Sequence, residues 1–220
     1  IAHQGRQPLN ALGLLIANIK DAYEYNELDK ATLDKSVKDG QRMIQKMSTT
    51  IDDFRNFFKP STEKKCFRMF EGTVEAVRLV EGSFKNQNIE IINESCGAPC
   101  FVDGYPNEYS QVVLNALTNA KDAIVGKGVA GKIHIRVEMR GALAVLSVQD
   151  NGGGIPEEIM DKVFDPYFTT KEKGTGIGLY MSKMIMEKMG GDIAIRNFKD
   201  GAEVLITLPP AKEPAQIKTA

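Results

Sequence analysis

The residues best equipped for chemistry fall in four short clusters. His3 heads a polar run, His3-Gln4-Gly5-Arg6-Gln7-Pro8-Leu9-Asn10. An imidazole with one unprotonated nitrogen is a competent nucleophile near neutral pH. Pro8 removes a ladder hydrogen bond and crowds the Gln4 carbonyl, so a helix carrying this run should bend beside His3. Asn115 and Asn119 stand one helical turn apart, with Asp122 three residues on, which shares their oxygens along one helix face. An asparagine carbonyl is a hard, neutral ligand for a Mg²⁺ that keeps its waters and leans on phosphates. Buried amides satisfied by backbone are an equal reading of that helix taken alone.

Asp150 ends the strand pattern 143–150 and is followed by Asn151-Gly152-Gly153-Gly154-Ile155-Pro156. A carboxylate there, partly withdrawn from water, is a strong acceptor for an exocyclic amine such as that of adenine. The glycines permit close backbone approach, although the same residues also suit a hairpin turn. Gly174, Gly176 and Gly178 alternate with Thr175 and Ile177 and run through Leu179 into an amphipathic pattern. Such a junction gathers unpaired N–H groups at the positive end of a helix dipole, which suits polyphosphate. A flexible linker before a helix is the plainer alternative. His134 alternates within a strand and carries no assigned chemistry.

These clusters need elements to hold them. Leu9, Leu12, Ile16, Ile19 and Tyr23 repeat at three and four, and so do Leu33, Val37, Gly40, Ile44, Met47, Ile51, Phe54 and Phe58. A polar break at 25–29 separates them, so two helices should fold back as an antiparallel hairpin. One hairpin cannot enclose that apolar seam, and a dimeric four-helix bundle is expected; packing on the chain's own C-terminal part is the alternative. Lys59-Pro60 should stop the second helix. Beyond it, apolar alternation predicts strands near 66–70, 89–94, 100–103, 132–139, 143–149, 192–197 and 202–208. Helical patterns lie near 71–86, 106–125 and 176–189, the last with Ile177, Met181, Met184, Ile185 and Met189 read as its core face. This mixture predicts an α+β sandwich with helices on one face. The tail from Pro209 onward reads as unstructured.

The chain has 220 residues, 42% hydrophobic and 26% charged, with a formal net charge of -1. That is ordinary globular composition, and it lacks the basic footprint that nucleic acid demands. No apolar run approaches the ~18 residues of a membrane span. An opening on Ile-Ala-His suggests a piece of a longer protein, which leaves room for an anchor elsewhere. Three cysteines without metal-ligand spacing suggest free thiols in a reducing, cytoplasmic compartment.

In combination and order, the asparagine helix, Asp-x-Gly-x-Gly and Gly-x-Gly-x-Gly resemble the N box and glycine boxes of the Bergerat ATP-binding domain of the GHKL superfamily. The segment Phe164-Asp165-Pro166-Tyr167-Phe168-Thr169-Thr170-Lys171 looks like its F box, and about 152–175 its ATP lid. The opening run resembles the H-E-x-R-x-P-L phosphoacceptor box of sensor histidine kinases. This implies residues 1–60 as a dimerisation and phosphoacceptor hairpin, 61–210 as the ATP-binding domain and 211–220 as a disordered tail. It implies ATP and Mg²⁺, with Asp150 on adenine, Asn119 on the metal and Asn115 orienting the metal shell or phosphates. Asp122, Gly152, Gly154, Ile155, Phe164, Phe168, Thr170, Lys171, Gly174, Thr175, Gly176, Ile177, Gly178 and Leu179 would complete the nucleotide site.

The implied reaction is autophosphorylation of His3, followed by transfer to an aspartate of a response-regulator receiver domain. Arg6 and Gln7 would lie near the transferred phosphoryl. Gln4 stands where many relatives carry a carboxylate; it can orient the ring but cannot take its proton. Gly5 costs about 1 kcal/mol of helix propensity relative to Ala. Asp122 stands where many members carry a basic residue. The rival readings are a GHKL-type ATPase that drives conformational change and an inactive dimeric scaffold.

Overall fold

A computed structural model describes residues 2–58, 63–97, 99–171 and 174–213; the side chains of 2–9, 46, 47, 49–58 and 96 lie outside the described set. The chain divides into two compact units, Ile1–Phe58 and Lys59–Ala220.

The first unit is a helical hairpin, α1 (Ala2–Glu24) and α2 (Lys30–Phe58). Asn26 turns the chain with φ 57°. Asp29 then caps α2, its Oδ1 accepting the Thr32 N–H at 2.7 Å. The two helices meet where Gly40 is buried; a Cβ there would come within 3.3 Å of Leu15 and 3.6 Å of Leu12. By contrast Ile16, Tyr23, Leu33, Val37 and Ile44 are exposed on the single chain. The apolar seam is therefore wider than the contact between the two helices.

The second unit pairs β1 (Lys65–Arg68) with β3 (Phe101–Gly104), and builds a five-stranded mixed sheet of order β2-β4-β5-β7-β6. Its strands are β2 (Ile89–Cys96), β4 (Gly131–Arg140), β5 (Leu143–Asp150), β6 (Asp192–Phe198) and β7 (Gly201–Leu208). Only the β2–β4 pair is parallel among these. Alternation decides the faces: Ile133, Ile135 and Val137 are buried while Lys132, His134 and Arg136 are exposed. The buried face meets α3 (Met69–Lys85), α4 (Pro106–Lys127) and α6 (Gly178–Lys188) through Val80, Phe84, Val113, Leu117, Ile124, Met186 and Met189. Pro106 opens α4 and left-handed Gly128 closes it. The expected fold class is thus observed: one unit is a helical hairpin and the other a two-layer α/β sandwich.

Three expectations need correction. Past β7, Pro210 bridges to Val102, and the Ala211 N–H donates to the Phe101 carbonyl at 2.7 Å. Residues 209–212 therefore line the open edge of β3 rather than trailing free; residues 214–220 lie outside the described set. On α6, Ser182, Met186 and Met189 are buried, whereas Ile177, Met181 and Met184 are 39%, 46% and 46% exposed. The helix is rotated from the expected face because Ser182 is hydrogen-bonded to α4. Finally, a short helix α5 (Glu157–Met160) follows Pro156, where none was expected.

Candidate nucleotide site

Helix α4 is the spine of the site. At one place Gly152 presses on it: a Cβ there would sit 2.6 Å from the Ala123 Cβ and 2.8 Å from the Ile124 nitrogen. At another, a Cβ on Gly178 would lie 2.5 Å from the Asn115 Oδ1. The two glycine segments thus dock about eight residues apart, or ~12 Å along the helix at 1.5 Å per residue. Both docking glycines are required because no side chain fits. Between these points the same helix carries Asn119 and Asp122.

At the β5 end, Asp150 is partly buried. Its Oδ1 accepts the Gly152 N–H at 2.7 Å and the Ala202 N–H at 3.4 Å. Burial raises its carboxyl above the ordinary aspartate value, against the opposing pull of those two N–H groups and the charge of Lys127. Among the described residues both bonds fall on Oδ1, so Oδ2 remains to accept a donor from a ligand. The strand turn beyond it is rigidly tied. Asn197 brackets Ile155, accepting its N–H at 2.7 Å and donating to its carbonyl at 2.8 Å. Gly153 and Gly154 take φ 100° and 78°, and Gly153 donates to the Asp200 carbonyl at 2.8 Å. Asn151 looks away, bonding the Lys132 N–H and the Ala130 carbonyl.

At the other end, α6 starts at Gly178 with Ile177 as its cap, and Ile177 supplies no side-chain acceptor. Its leading N–H groups are those a polyphosphate would meet. Asn115 braces this start: its Nδ2 donates to Ser182 Oγ at 2.9 Å, and Ser182 donates to the Gly178 carbonyl at 3.0 Å. Gly176, with φ 66°, lies against the Tyr167 backbone, and the Tyr167 N–H donates to the Gly176 carbonyl at 2.9 Å. That bond staples Phe164–Lys171 to the glycine run. Phe164 and Phe168 are partly buried and Thr170 and Thr175 exposed. Residues 172 and 173 lie outside the described set.

Lys171 closes the arrangement. Its Nζ donates to Asn119 Oδ1 at 2.7 Å and to Asp122 Oδ2 at 2.8 Å. A cation is therefore already seated where a divalent ion was expected, and the oxygens present suit one. The structure thus brings Asn119, Asp122 and Lys171 together and Asn115 with Gly178. His3, Gln4, Arg6 and Gln7 fall on α1, with side chains outside the described residues. Sequence reasoning missed Asn197, Ser182, Lys127 and Asp200; Gly201, whose added Cβ would strike the Asp150 carbonyl, carried a weak signal in its Lys-Asp-Gly turn.

A carboxylate at a strand end, a helix N-terminus backed by asparagine and a seated cation between them define a nucleotide-binding α/β sandwich. Residues 104–212 match the family described as histidine kinase-, DNA gyrase B-, and HSP90-like ATPase. The chain is 29% identical to the two-component sensor PprA of Pseudomonas aeruginosa over 96% of its own length and 24% of that protein's. It is 30% identical to sporulation kinase D of Bacillus subtilis, covering 94% of this chain and 40% of that one. Among solved structures, the catalytic domain of histidine kinase ThkA superposes with a TM-score of 0.62 at 33% identity, covering 68% of this chain and 97% of that domain. ThkA in complex with the response regulator protein TrrA matches 96% of this chain and 60% of that chain, at 27% identity and a TM-score of 0.57. The chain belongs to the sensor histidine kinases of this ATPase family, and it spans less than half the length of these two curated relatives. No helix among the described residues is long and apolar enough to cross a membrane.

Proposed function

We propose that this chain is the catalytic core of a two-component sensor histidine kinase. It binds Mg²⁺-ATP on the second unit, phosphorylates His3 and passes the phosphoryl group to an aspartate of a receiver domain. The observation that carries the reading is the docking of both glycine segments on α4, with Asn119 between them. Asp150 Oδ2 accepts the adenine amine, the fixed Gly152–Ile155 turn lies beside the base, and the N–H groups at Gly178 and Leu179 face the phosphates. Asn119 would hold the divalent cation, which would supply neutralisation of polyphosphate charge. The imidazole of His3 attacks the γ-phosphorus; the bond to the β–γ bridging oxygen breaks and ADP leaves. The chemistry is mostly positioning, with Gln4 orienting the ring and water taking its proton. A reaction that uses ATP, and cysteines without metal-ligand spacing, support a cytoplasmic location for it. The match to ThkA with TrrA supports a receiver domain as partner, and the exposed seam of the hairpin supports a homodimer.

The test is incubation with γ-labelled ATP. Acid-labile, base-stable label on the protein, absent in His3→Gln, is the expected result. Label surviving His3→Gln would overturn the acceptor assignment, and steady phosphate release with no labelling would mark an ATPase instead.

A further inference from the structure

The ammonium of Lys171 sits on Asn119 Oδ1 and Asp122 Oδ2 as a cation would, at 2.7 and 2.8 Å. The other Asp122 oxygen faces Lys121 Nζ at 3.7 Å. This corner therefore carries two ammonium groups against one carboxylate, an excess of positive charge before any ligand arrives. The Lys171 and Asp122 side chains are 43% and 36% exposed, so the pair contributes little to folding and exchanges readily with solvent ions. Asn119 and Asp122 share one face of α4 and are fixed by the helix, whereas Lys171 reaches them from the segment stapled to the glycine run at Gly176. The fixed partner is an oxygen pair; the movable one is a positive charge.

We infer that Lys171 is a placeholder cation, held by Asn119 and Asp122 in the nucleotide-free protein and displaced when a divalent cation takes that seat. The inference rests on the proposed nucleotide site and gives Asp122, already expected there, a specific role. Its carboxylate holds Lys171 when the site is empty and faces the metal when it is filled. The displaced ammonium finds its next partner in the polyphosphate that accompanies the metal. One lysine thus holds Phe164–Lys171 against α4 before binding and serves the phosphates after it. An acidic residue at position 122 is required by this exchange: a lysine there would repel both occupants.

The competition is measurable without ATP or turnover. Mn²⁺ is titrated into the full 220-residue chain, and free ion is read by electron paramagnetic resonance. Lys171→Met should bind Mn²⁺ roughly tenfold more tightly than the unaltered chain, because it removes a like charge at contact distance. Lys171→Arg, which keeps the charge, should not. The gain should vanish in Lys171→Met combined with Asp122→Asn, which separates competition for this seat from a diffuse loss of charge. Unchanged or weaker Mn²⁺ binding by Lys171→Met, or a gain that persists without the Asp122 carboxylate, would overturn the inference. Labelling of His3 is scored separately, so a failed exchange leaves the kinase reading standing. Lys171 is exposed and Asp122 half-buried, and circular dichroism of each variant checks that it folds.

Discussion

At the scale of single residues, burial gives Asp150 an elevated carboxyl pKa, only partly offset by the N–H groups of Gly152 and Ala202 and by Lys127. An elevated folded value means this group favours folding most below the ordinary aspartate pKa, and that contribution disappears as pH rises through the folded value. Accepting an adenine amine, however, needs the ionised form. Affinity for a non-hydrolysable ATP analogue should therefore fall on acidification at a pH above the ~3.9 of an unperturbed aspartate. Asp150→Asn should weaken the analogue by about 2 kcal/mol, roughly 30-fold, and flatten that dependence. The same variant should keep its melting temperature at pH 7, since ionised Asp150 adds no stability there. Calorimetric titration and thermal unfolding check the two halves; a large loss of melting temperature would mean that Asp150 serves the fold. Gly178 makes a second residue-level case. Gly178→Ala drives a methyl into Asn115 and displaces the start of α6, so analogue binding should drop at least about tenfold while the sheet core still melts cooperatively.

Between elements, the strands β5, β6 and β7 are clamped by Glu203, which is fully buried on β7. Its carboxylate accepts from Ser147 Oγ at 2.6 Å and Gln149 Nε2 at 2.8 Å, and pairs with Arg196. Burial alone would raise its pKa; those three donors outweigh it and hold the carboxyl below the ordinary glutamate value. Stability from a depressed carboxylate is present above the unfolded value and lost as pH falls through the folded one. Glu203→Gln should thus cost about 1–3 kcal/mol near neutral pH, and the deficit should shrink below the usual glutamate range. Denaturant melts at several pH values decide this, and a pH-independent deficit would reject it. Such a clamp was invisible in the sequence because its members come from three strands. The strands themselves were legible, since Ile133, Ile135 and Val137 alternate with polar residues over an unbroken run. Helix α6 was legible as a helix but not in its facing: Ile177, Met181, Met184, Ile185 and Met189 suggested one stripe, yet Ile177, Met181 and Met184 are exposed and Ser182, bonded to Asn115 on α4, is buried. Asp150, Asn119 and the glycines could be singled out locally because each sits in a short run whose residue types and spacing suggest a chemistry. Asn197, 42 residues from Ile155, has no local mark of its role.

Taken whole, the molecule is two units with different needs. The second buries a continuous core of its own, from Phe84 and Leu117 on the helices to Leu146 and Ile206 on the sheet. Among its described side chains the hairpin does not: Leu12 and Leu15 meet Gly40, while Ile16 at 60%, Val37 at 46% and Ile44 at 52% exposure lie outside that contact. A stripe of that kind on a long helix pair is stabilised by a second helix pair, and another copy of the same chain presents the matching stripe by symmetry. The three-four spacing of Leu33, Val37 and Ile44 is the sequence-level reason to expect such a partner, and their exposure on the single chain supports it. Replacing both Val37 and Ile44 by Glu puts two like charges on each copy's seam, where they would face each other across a two-fold axis. Sedimentation equilibrium should then show a dimer for the unaltered chain and a monomer for the double variant. ATP-analogue affinity should be unchanged, since Asp150, Asn119 and Gly178 belong to the unit with its own core. A double variant that still sediments as a dimer would place the self-association surface elsewhere, and one that loses nucleotide binding would show that the second unit does not stand by itself.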